Sequence, residues 1–555
     1  MKFYEIYYSA NQMSLAVVAP QSVSQLAKFV NEAFGSIPNR NVNPPEERWA
    51  YRVPPYGKPG LVPAERSIVE IVPIQELRQV TVTWPIVFKS KKEREAFRLN
   101  KVGRERSLSP RLFSRVDRNN DLERSHISSR KPDYFVSWLL GHEGSGSLLS
   151  YMKDKGWANS LGASDNANLE DFITFEVTVE LTNKGLGAVD DVVGAIFSYV
   201  RMLRESPIPD YIFDENLQLD ELEWRYTTKG QPGSYVQTLV TAMDQFPPSL
   251  YIAGPRRLAL KETETRLISS GDPRMTFESG EQRDIIKAAC SDLINRMTVD
   301  DSFLTVFSKT FEKKTSKVER WYGTEYNVRP ISQATLMAWK DCAPAASIGL
   351  AYPRKNEFIP SESGLRVKKK PTRAEPRTFE EKIKPIAPPT VIRDDGNEGR
   401  WIVYHKIDDI FGKPKAFMIF QLLTAELYSS PKKASLASLY QQCAADKLNE
   451  YTYDARLADL SYDLQVLPRG VRLTFGGYND KLKTFASYVS SKLARDLDDV
   501  LPSNEEEFER YKDNLMRGLS AFKVKQPYAH AIYYSALTQQ PRNFQYTNDQ
   551  LIAAL

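Results

Sequence analysis

The sequence predicts an α+β fold of tandem homologous domains, each a mostly antiparallel sheet with helices packed on one face. A unit made of an alternating strand, a short polar turn and an amphipathic helix occurs three times along the 555 residues. A further helix precedes the second and the third unit, so the repeat is helix, strand, turn, helix. At roughly 100–200 residues per domain, the length suffices for several cores.

The first unit lies close to Met1. Apolar residues alternate over 13–17 and predict a strand, and Pro20 to Ser22 supply the turn. Ser22 and Gln25 fit a capping box, so a helix is predicted from here to Gly35. Its apolar side chains recur at helical spacing, at Val23, Leu26, Val30 and Phe34.

The second unit has the clearest pattern. Apolar side chains from Phe175 to Leu181 alternate with three polar ones, which predicts a strand with one buried face. The polar side chains are Glu176, Thr178 and Glu180. A turn over 183–187 leads into a wide apolar helical stripe over 189–203, which Pro207 ends. The helix before this unit is predicted over 148–155, with its stop at Gly156.

The third unit has the same order. A strand is predicted over 471–475, a turn at Gly476 and Gly477, and a helix from Leu482 to Leu493. The helix before it is predicted over 440–460. Stripes of this kind are typical of core packing, so we assign no cofactor site to them.

Two segments interrupt the repeats. Residues 89–131 hold 14 Lys and Arg against 6 Asp and Glu, so they contribute +8 to a net charge of +5 and leave −3 for the rest. Three interpretations stay open: a solvated loop or gene-model error, a contact for an anionic partner, or a nucleic-acid site. The last is disfavoured because aromatic platforms and a recognition helix are absent. Residues 341–400, proline-rich in their second half, predict an interdomain linker.

Several function classes are excluded by composition. No apolar run approaches the roughly 18 residues that a spanning helix needs, so no membrane contact is expected. The first fifteen residues show no signal-peptide pattern. Cys290, Cys342 and Cys443 lie far apart in sequence and make neither a CxxC pair nor the even, closely spaced set of a disulfide framework, which favours a reducing compartment. Together these features favour the cytoplasm.

Several strings resemble the insulinase-type (insulysin/pitrilysin) zinc metallopeptidases. The string GHEGSGSLLSYMKDKGWANSL at 141–161 is similar to the signature of the family's second domain. The resemblance runs nearly end to end in the family order, with the basic segment as an insertion. The other strings are FYEIYYSANQMSLAVVA at 3–19, WYGTEY at 321–326, NEFIP at 356–360, LNEYTYDARLADLSYDL at 448–464, TFGGYNDKL at 474–482 and QPYAHAIYY at 526–534.

The resemblance implies a metallopeptidase chamber fold of the LuxS/MPP-like type, whose two halves enclose peptides. It implies four segments in this chain. Residues 1–45 would be the C-terminal remnant of a first, catalytic domain, and 46–340 a second domain with the insertion 89–131. Residues 341–400 would be the linker, and 401–555 the core of a third domain.

The family's zinc chemistry needs an H-x-x-E-H helix, in which two histidines four residues apart bind the metal and the Glu activates water. No such motif occurs here, since the nearest two of the four histidines, His126 and His142, are sixteen residues apart. We therefore predict no catalytic and no metal residue in this chain, and expect zinc only for the complete family enzyme. His142-Glu143 has no second histidine nearby, and a helix-entry loop is the better interpretation.

Peptide binding is the family function that the resemblance still implies for this chain. In the family, a strand edge in the second domain anchors a substrate by adding it as a further strand. The matching positions are Leu161, Gly162 and Ala163, with Gly141 and Glu143 in the preceding loop. Ala163 and Ser164 stand where the family has a Gly pair, and Ser137 replaces a basic residue. An ordinary sheet edge is the alternative interpretation.

The sequence thus predicts a partial insulinase-type metalloendopeptidase that supplies peptide-binding chamber domains and is inactive alone. The alternative is a non-catalytic chamber subunit or interaction protein that partners an active peptidase. The expected partners are peptides or unfolded polypeptides, and a catalytic half or a second copy of the chain.

Overall fold

The structure is a computed structural model that describes residues 2–43, 66–88, 93, 97, 99–102, 126–129, 131–168, 172–228, 230–246, 248–258, 279–367, 388–396, 401–408, 411–539 and 545–555. The chain divides into two compact units. The first comprises residues 1–355 and 521–525, and the second comprises 356–520 and 526–555. Most of the basic segment 89–131 lies outside the described residues, so its predicted role stays a prediction.

The first unit begins with helices α1 (Lys2–Tyr7) and α2 (Val23–Phe34). The predicted capping box at the start of α2 is present, because the side chain of Ser22 accepts from the backbone of Gln25 and the Gln25 side chain accepts from Ser22. The strand predicted over 13–17 is wrong. An extended segment becomes a strand only when it pairs, and no described strand pairs with this one.

The core of the first unit is a seven-stranded sheet in the order β5-β6-β2-β7-β1-β9-β8. Every neighbouring pair is antiparallel except β1 with β7. The strands are β1 (Ser67–Ile71), β2 (Gln79–Val87), β5 (Ala158–Asn168), β6 (Phe172–Leu181), β7 (Phe303–Phe307), β8 (Lys317–Val318) and β9 (Glu325–Pro330). Strands β3 (Leu99–Val102) and β4 (His126–Ser129) form a separate two-stranded antiparallel sheet.

Several helices of this unit bury apolar side chains against the sheet. Trp84 of β2 is fully buried, donates from Nε1 to the carbonyl of Thr298 and meets the ring of Phe197 edge-on at 5.9 Å. Burial of such side chains is the main favourable term in folding. The helices are α3 (Pro132–Leu140), α4 (Leu148–Asp154), α5 (Asn183–Leu186), α6 (Val189–Glu205), α7 (Asp210–Arg225), α8 (Pro232–Gln245), α9 (Ser279–Arg296) and α10 (Gln333–Lys340).

The second unit contains a three-stranded antiparallel sheet in the order β12-β14-β13 and a hairpin of β10 and β11. Phe475 of the sheet packs edge-on against Phe485 of a covering helix, with ring centroids 6.1 Å apart. Its strands are β10 (Thr390–Asp394), β11 (Ile402–His405), β12 (Lys415–Leu423), β13 (Ser461–Leu467) and β14 (Gly470–Tyr478). Its helices are α11 (Pro431–Lys447), α12 (Asn449–Leu457), α13 (Asn479–Ala494), α14 (Glu505–Ser520), α15 (Pro527–Gln539) and α16 (Asn548–Ala554).

Two details of the third predicted unit differ from expectation. The single helix predicted over 440–460 is two helices, which meet at Leu448 before Asn449, a residue type that favours helix ends. The turn predicted at Gly476 and Gly477 is the last part of β14. Gly477 has φ +133°, and a Cβ there would lie 2.1 Å from the carbonyl oxygen of Asp459.

Among the helices of the described residues, none has both the length and the hydrophobicity that a membrane-spanning helix needs.

Candidate functional site

The predicted residues Leu161, Gly162 and Ala163 lie in β5, the outermost strand on one side of the seven-stranded sheet. They face Val179, Thr178 and Val177 of β6 in an antiparallel register. Among the described strands, β5 pairs with β6 alone. Its other edge therefore has the backbone geometry that strand addition needs.

The three residues point to different faces of the sheet. Leu161 is buried, Ala163 is half-buried on the same face, and Gly162 is exposed on the opposite face. This alternation follows from the two-residue period of a strand.

The beginning of β5 is fixed by the turn after α4. Gly156 adopts φ +71°, and the amide of Trp157 donates to the carbonyl of Met152 at 2.8 Å, which closes a Schellman motif. Thr182, the residue after β6, then fixes the turn, since its hydroxyl donates to the Gly156 carbonyl at 2.6 Å and its amide to the Trp157 carbonyl at 2.9 Å. The turn at Gly156 and Trp157 thus determines where the edge strand β5 begins.

Gly141 is brought to β5 by the end of α3. Gly141 caps the C-terminal end of α3, and its amide donates to the carbonyl of Ser137 at 2.8 Å. A Cβ at Gly141 would lie 2.9 Å from that carbonyl oxygen and 3.6 Å from the amide nitrogen of Ala163. The distance to Ser137 is too short for a Cβ, whereas the distance to Ala163 is an ordinary contact. The end of α3 therefore lies beside Ala163.

The loop that holds Glu143 is organised by His142, a residue that the sequence analysis placed in a structural role. His142 is buried, its Nδ1 accepts from the amide of Gly144 at 3.0 Å, and its ring meets that of Trp138 at 5.0 Å. Glu143 is only half-buried and lies two residues beyond Gly141. A carboxylate is therefore carried on the loop that follows Gly141 and is held by His142.

Two further carboxylates near the edge were not among the predicted site residues. Glu176 and Glu180 lie on β6, on the face where Gly162 is exposed, opposite Ser164 and Ser160. The Asn166 amide donates to Glu176 at 3.1 Å, and the Ser160 hydroxyl donates to Glu180 at 3.3 Å. The alternation in β6 already placed both on the polar face, but only the pairing register shows that they flank Gly162.

The described residues do not fit a zinc site of the family type. No group of three His, Cys, Asp or Glu side chains is placed to hold a metal ion in the described part of the chain. The Nδ1 of His142 already accepts a hydrogen bond, and His405 lies in β11 while His530 lies in α15.

Two family models match the chain. One is described as the middle or third domain of peptidase M16 and covers residues 224–554. The other is described as the peptidase M16 inactive domain and covers 1–219. The chain belongs to the peptidase M16 family. The resemblance to insulinase-type enzymes is thereby confirmed, and the limit between the two M16 matches falls inside helix α7.

Known M16 proteins are similar to the chain over nearly all of its length. The insulin-degrading enzyme of Drosophila melanogaster is 30% identical over 541 residues, which are 97% of this chain and 45% of the relative. That of Homo sapiens is 29% identical over 555 residues, or 100% of this chain and 45% of the relative. The chain thus spans about half the length of these M16 relatives.

The crystal structure of pitrilysin shows the same fold. It is 20% identical in sequence with a TM-score of 0.58, and the similarity covers 100% of this chain and 49% of pitrilysin. The predicted α+β fold of sheets with packed helices is confirmed by this likeness.

Proposed function

We propose that this M16 chain binds extended peptides at the free edge of β5 and performs no zinc chemistry of its own. The observation that carries the proposal is the position of Leu161, Gly162 and Ala163 in an edge strand, beside Gly141. Backbone groups make the contacts in strand addition, so the replacement of a family glycine by Ala163 leaves this mode available. Glu143 would receive the amino group at the peptide's N-terminus.

Within this proposal the domain limits are those given by the resemblance: 1–45, 46–340, 341–400 and 401–555. The chain would supply the chamber domains of a partial insulinase-type metalloendopeptidase, with zinc held by the complete enzyme. Three unpaired cysteines support a cytoplasmic location, since thiols persist in a reducing compartment.

The second candidate is a non-catalytic chamber subunit that pairs with an active peptidase or with another copy of the chain. The absence of H-x-x-E-H from the sequence supports this separate subunit as much as it supports the partial enzyme. The genomic sequence upstream of the Met1 codon separates the two candidates. An in-frame H-x-x-E-H there supports the partial enzyme, and a promoter without such a coding sequence supports the separate subunit.

The test of peptide binding uses the backbone of the probe. A fluorescein-labelled peptide of alternating Val and Thr is N-methylated at one position at a time, and its affinity is measured by fluorescence anisotropy. Strand addition uses the amide groups of every second peptide residue, so methylation should weaken binding at alternate positions only. Binding without this alternation contradicts the strand-edge site.

Proline substitutions locate the site on the protein. Adjacent residues of a strand direct their amides to opposite edges. Of Gly162→Pro and Ala163→Pro, one therefore removes a donor at the free edge and the other removes a donor to β6. The variant that keeps the unfolding temperature of the parent should bind the probe at least about tenfold more weakly, by the loss of a hydrogen bond and the ring's steric block. Unchanged binding by both variants rules out this edge.

A further inference from the structure

The three-stranded sheet of the second unit repeats part of the larger sheet of the first unit. The strands β2, β6 and β5 are neighbours in this order, as are β12, β14 and β13, and every pair is antiparallel. In the first unit, the other edge of β2 pairs with β7, which is also antiparallel to it. Among the described strands, β12 has no second neighbour. The strand that is interior in the first unit is therefore an edge in the second.

Core side chains of the second unit are exposed along this edge. Phe420 of β12 lies on the face that the helices cover, since its ring centroid is 6.2 Å from that of Phe475. Phe420 is nevertheless 39% exposed, and Leu422, two residues further along the same face, is 54% exposed. In β2, by contrast, Val82 and Trp84 are 0% exposed. The interior of the second sheet is thus open at the place where the first sheet has a further strand.

The two edges of the second sheet are protected to different degrees. In β13 the exposed side chains, Ser461 and Asp463, are polar, and the Val466 amide donates to the side chain of Gln441 at 3.5 Å. Residues 416–423 of β12 contain no charge, no proline and no bulge. They expose a series of apolar side chains, namely Phe417, Ile419, Phe420, Leu422 and Leu423. Proteins usually protect edge strands by charge, proline, bulges or coverage, so β12 is the edge suited to pairing.

The pattern of β12 fits an antiparallel pair with a second copy of the same strand. Such a pair has a two-fold axis, and full overlap of Lys415–Leu423 places this axis at Ile419. Lys415 then stands opposite Leu423 of the other copy, so no like charges meet across the pair. The strand is therefore complementary to itself in charge.

The two-fold axis also keeps the two faces of the sheet separate. Residues that stand opposite each other in an antiparallel pair point to the same face. Phe420 would therefore lie beside Met418 of the other copy, and Leu422 beside Ala416. The helix-covered faces of the two sheets would become continuous, so the exposed core side chains would gain apolar neighbours. Burial of this surface and the hydrogen bonds of the strand edge both favour association.

We propose that the chain forms a two-fold dimer in which the β12 strands of two copies pair antiparallel, so that two three-stranded sheets become one six-stranded sheet. The second copy takes the position beside β12 that β7 takes beside β2. This inference assigns a surface to the second candidate function, a subunit that pairs with another copy of the chain, and does not depend on peptide binding at β5. One strand from each copy makes a small interface, so a Kd in the micromolar range is expected.

The experiment combines sedimentation equilibrium of the parent chain with cysteine cross-linking. The cross-linking background is Cys342→Ser, because Cys342 is half-exposed whereas Cys290 and Cys443 are buried. Opposed residues of antiparallel strands have Cα atoms about 4.5–5.5 Å apart, which is within reach of a disulfide. Ile419→Cys should therefore give a disulfide-linked dimer on mild oxidation.

A second pair of variants tests the register. Phe417→Cys and Gln421→Cys stand opposite each other in the proposed pair, so they should link when the two proteins are mixed. Neither should link to its own copy, which would lie at least about 13 Å away along the strand. The control for random collision is Val318→Cys, which is 65% exposed in the edge strand β8 of the first unit and should not link.

Each outcome supports or overturns the dimer. A concentration-dependent dimer, with links formed by Ile419→Cys and by the mixed pair only, supports it. A single monomeric species up to about 0.1 mM, where a micromolar Kd would leave mostly dimer, overturns it. A dimer that Ile419→Cys and the mixed pair both fail to link, or links of equal yield in Phe417→Cys alone or in the control, would show that β12 is not the interface. None of these results affects peptide binding at β5, which anisotropy measures separately.

Discussion

Gly185 lies directly under the backbone of the turn that starts the edge strand. A Cβ at this residue would be 1.9 Å from the carbonyl oxygen of Trp157, and backbone cannot easily move away. Gly185→Ala should therefore destabilise the first unit by about 2–3 kcal/mol through overpacking. The measurement is the free energy of unfolding from urea denaturation.

The control for this substitution is Gly187→Ala, two residues along the chain. A Cβ there would lie 3.4 Å from the carbonyl oxygen of Lys184, an ordinary contact, and Gly187 has φ −77°. We expect a change below about 0.5 kcal/mol for this variant. Equal effects of the two substitutions would refute the packing argument.

Asp220 of α7 gives the first unit a dependence on pH. Burial raises the pKa of its carboxyl to about 6, against the opposing effects of Arg257, the Leu258 amide and Lys131. The folded state therefore holds the proton more tightly than the unfolded state does. The contribution of Asp220 to stability is complete below its unfolded pKa, near 4, and is lost as the pH rises through 6.

The measurement compares the parent with Asp220→Asn. The free energy of unfolding of the parent relative to the variant should fall by roughly 1–3 kcal/mol between pH 4 and pH 6.5. Arg257, which pairs with Asp220 at 2.8 Å, and Glu221, which pairs with Arg257 at 2.9 Å, are present in both proteins. A constant difference across this range would show that burial does not control the carboxyl.

At the scale of elements, β12 is an apolar strand at the edge of the second unit's sheet. Phe417, Ile419 and Leu423 are 74%, 67% and 78% exposed and lie on one face. In the described part of the chain β12 pairs with β14 alone. Exposed apolar edges of this kind promote association between chains.

We therefore expect Ile419→Lys to reduce concentration-dependent self-association, measured by light scattering, because a charge on an edge strand opposes pairing. Ile252→Lys is the control. It adds the same charge at an isoleucine that is 53% exposed but lies in a turn outside any strand. If both variants lower scattering equally, net charge rather than the strand edge is responsible.

The sequence predicts elements well where burial is one-sided. The alternation in 175–181 located β6 and its buried face, and the stripe over 189–203 located α6. The prediction from sequence fails where strand formation depends on pairing with another segment. At 13–17 the alternation is strand-like, but no described strand pairs with these residues. The candidate site was located through its string of residues, whereas the carboxylates beside Gly162 depended on a register of pairing that no local pattern specifies.

For the whole molecule, the absence of H-x-x-E-H leads to a prediction about metal. The purified chain should contain substoichiometric zinc and show no peptide cleavage that a chelator abolishes. Zinc is measured by atomic emission and cleavage with a quenched fluorescent peptide. Stoichiometric zinc, with activity that is lost on chelation and restored by zinc, would overturn the prediction.

Helix α2 begins with a capping box yet buries none of its residues. A helix of this length without tertiary packing is marginal in water, so its hydrogen bonds should open frequently. Its amide hydrogens should exchange with deuterium orders of magnitude faster than those of β2 and β6, which lie inside the sheet. The binding of any molecule that covers the apolar side chains of α2 would therefore be detected as slower exchange of these amide hydrogens.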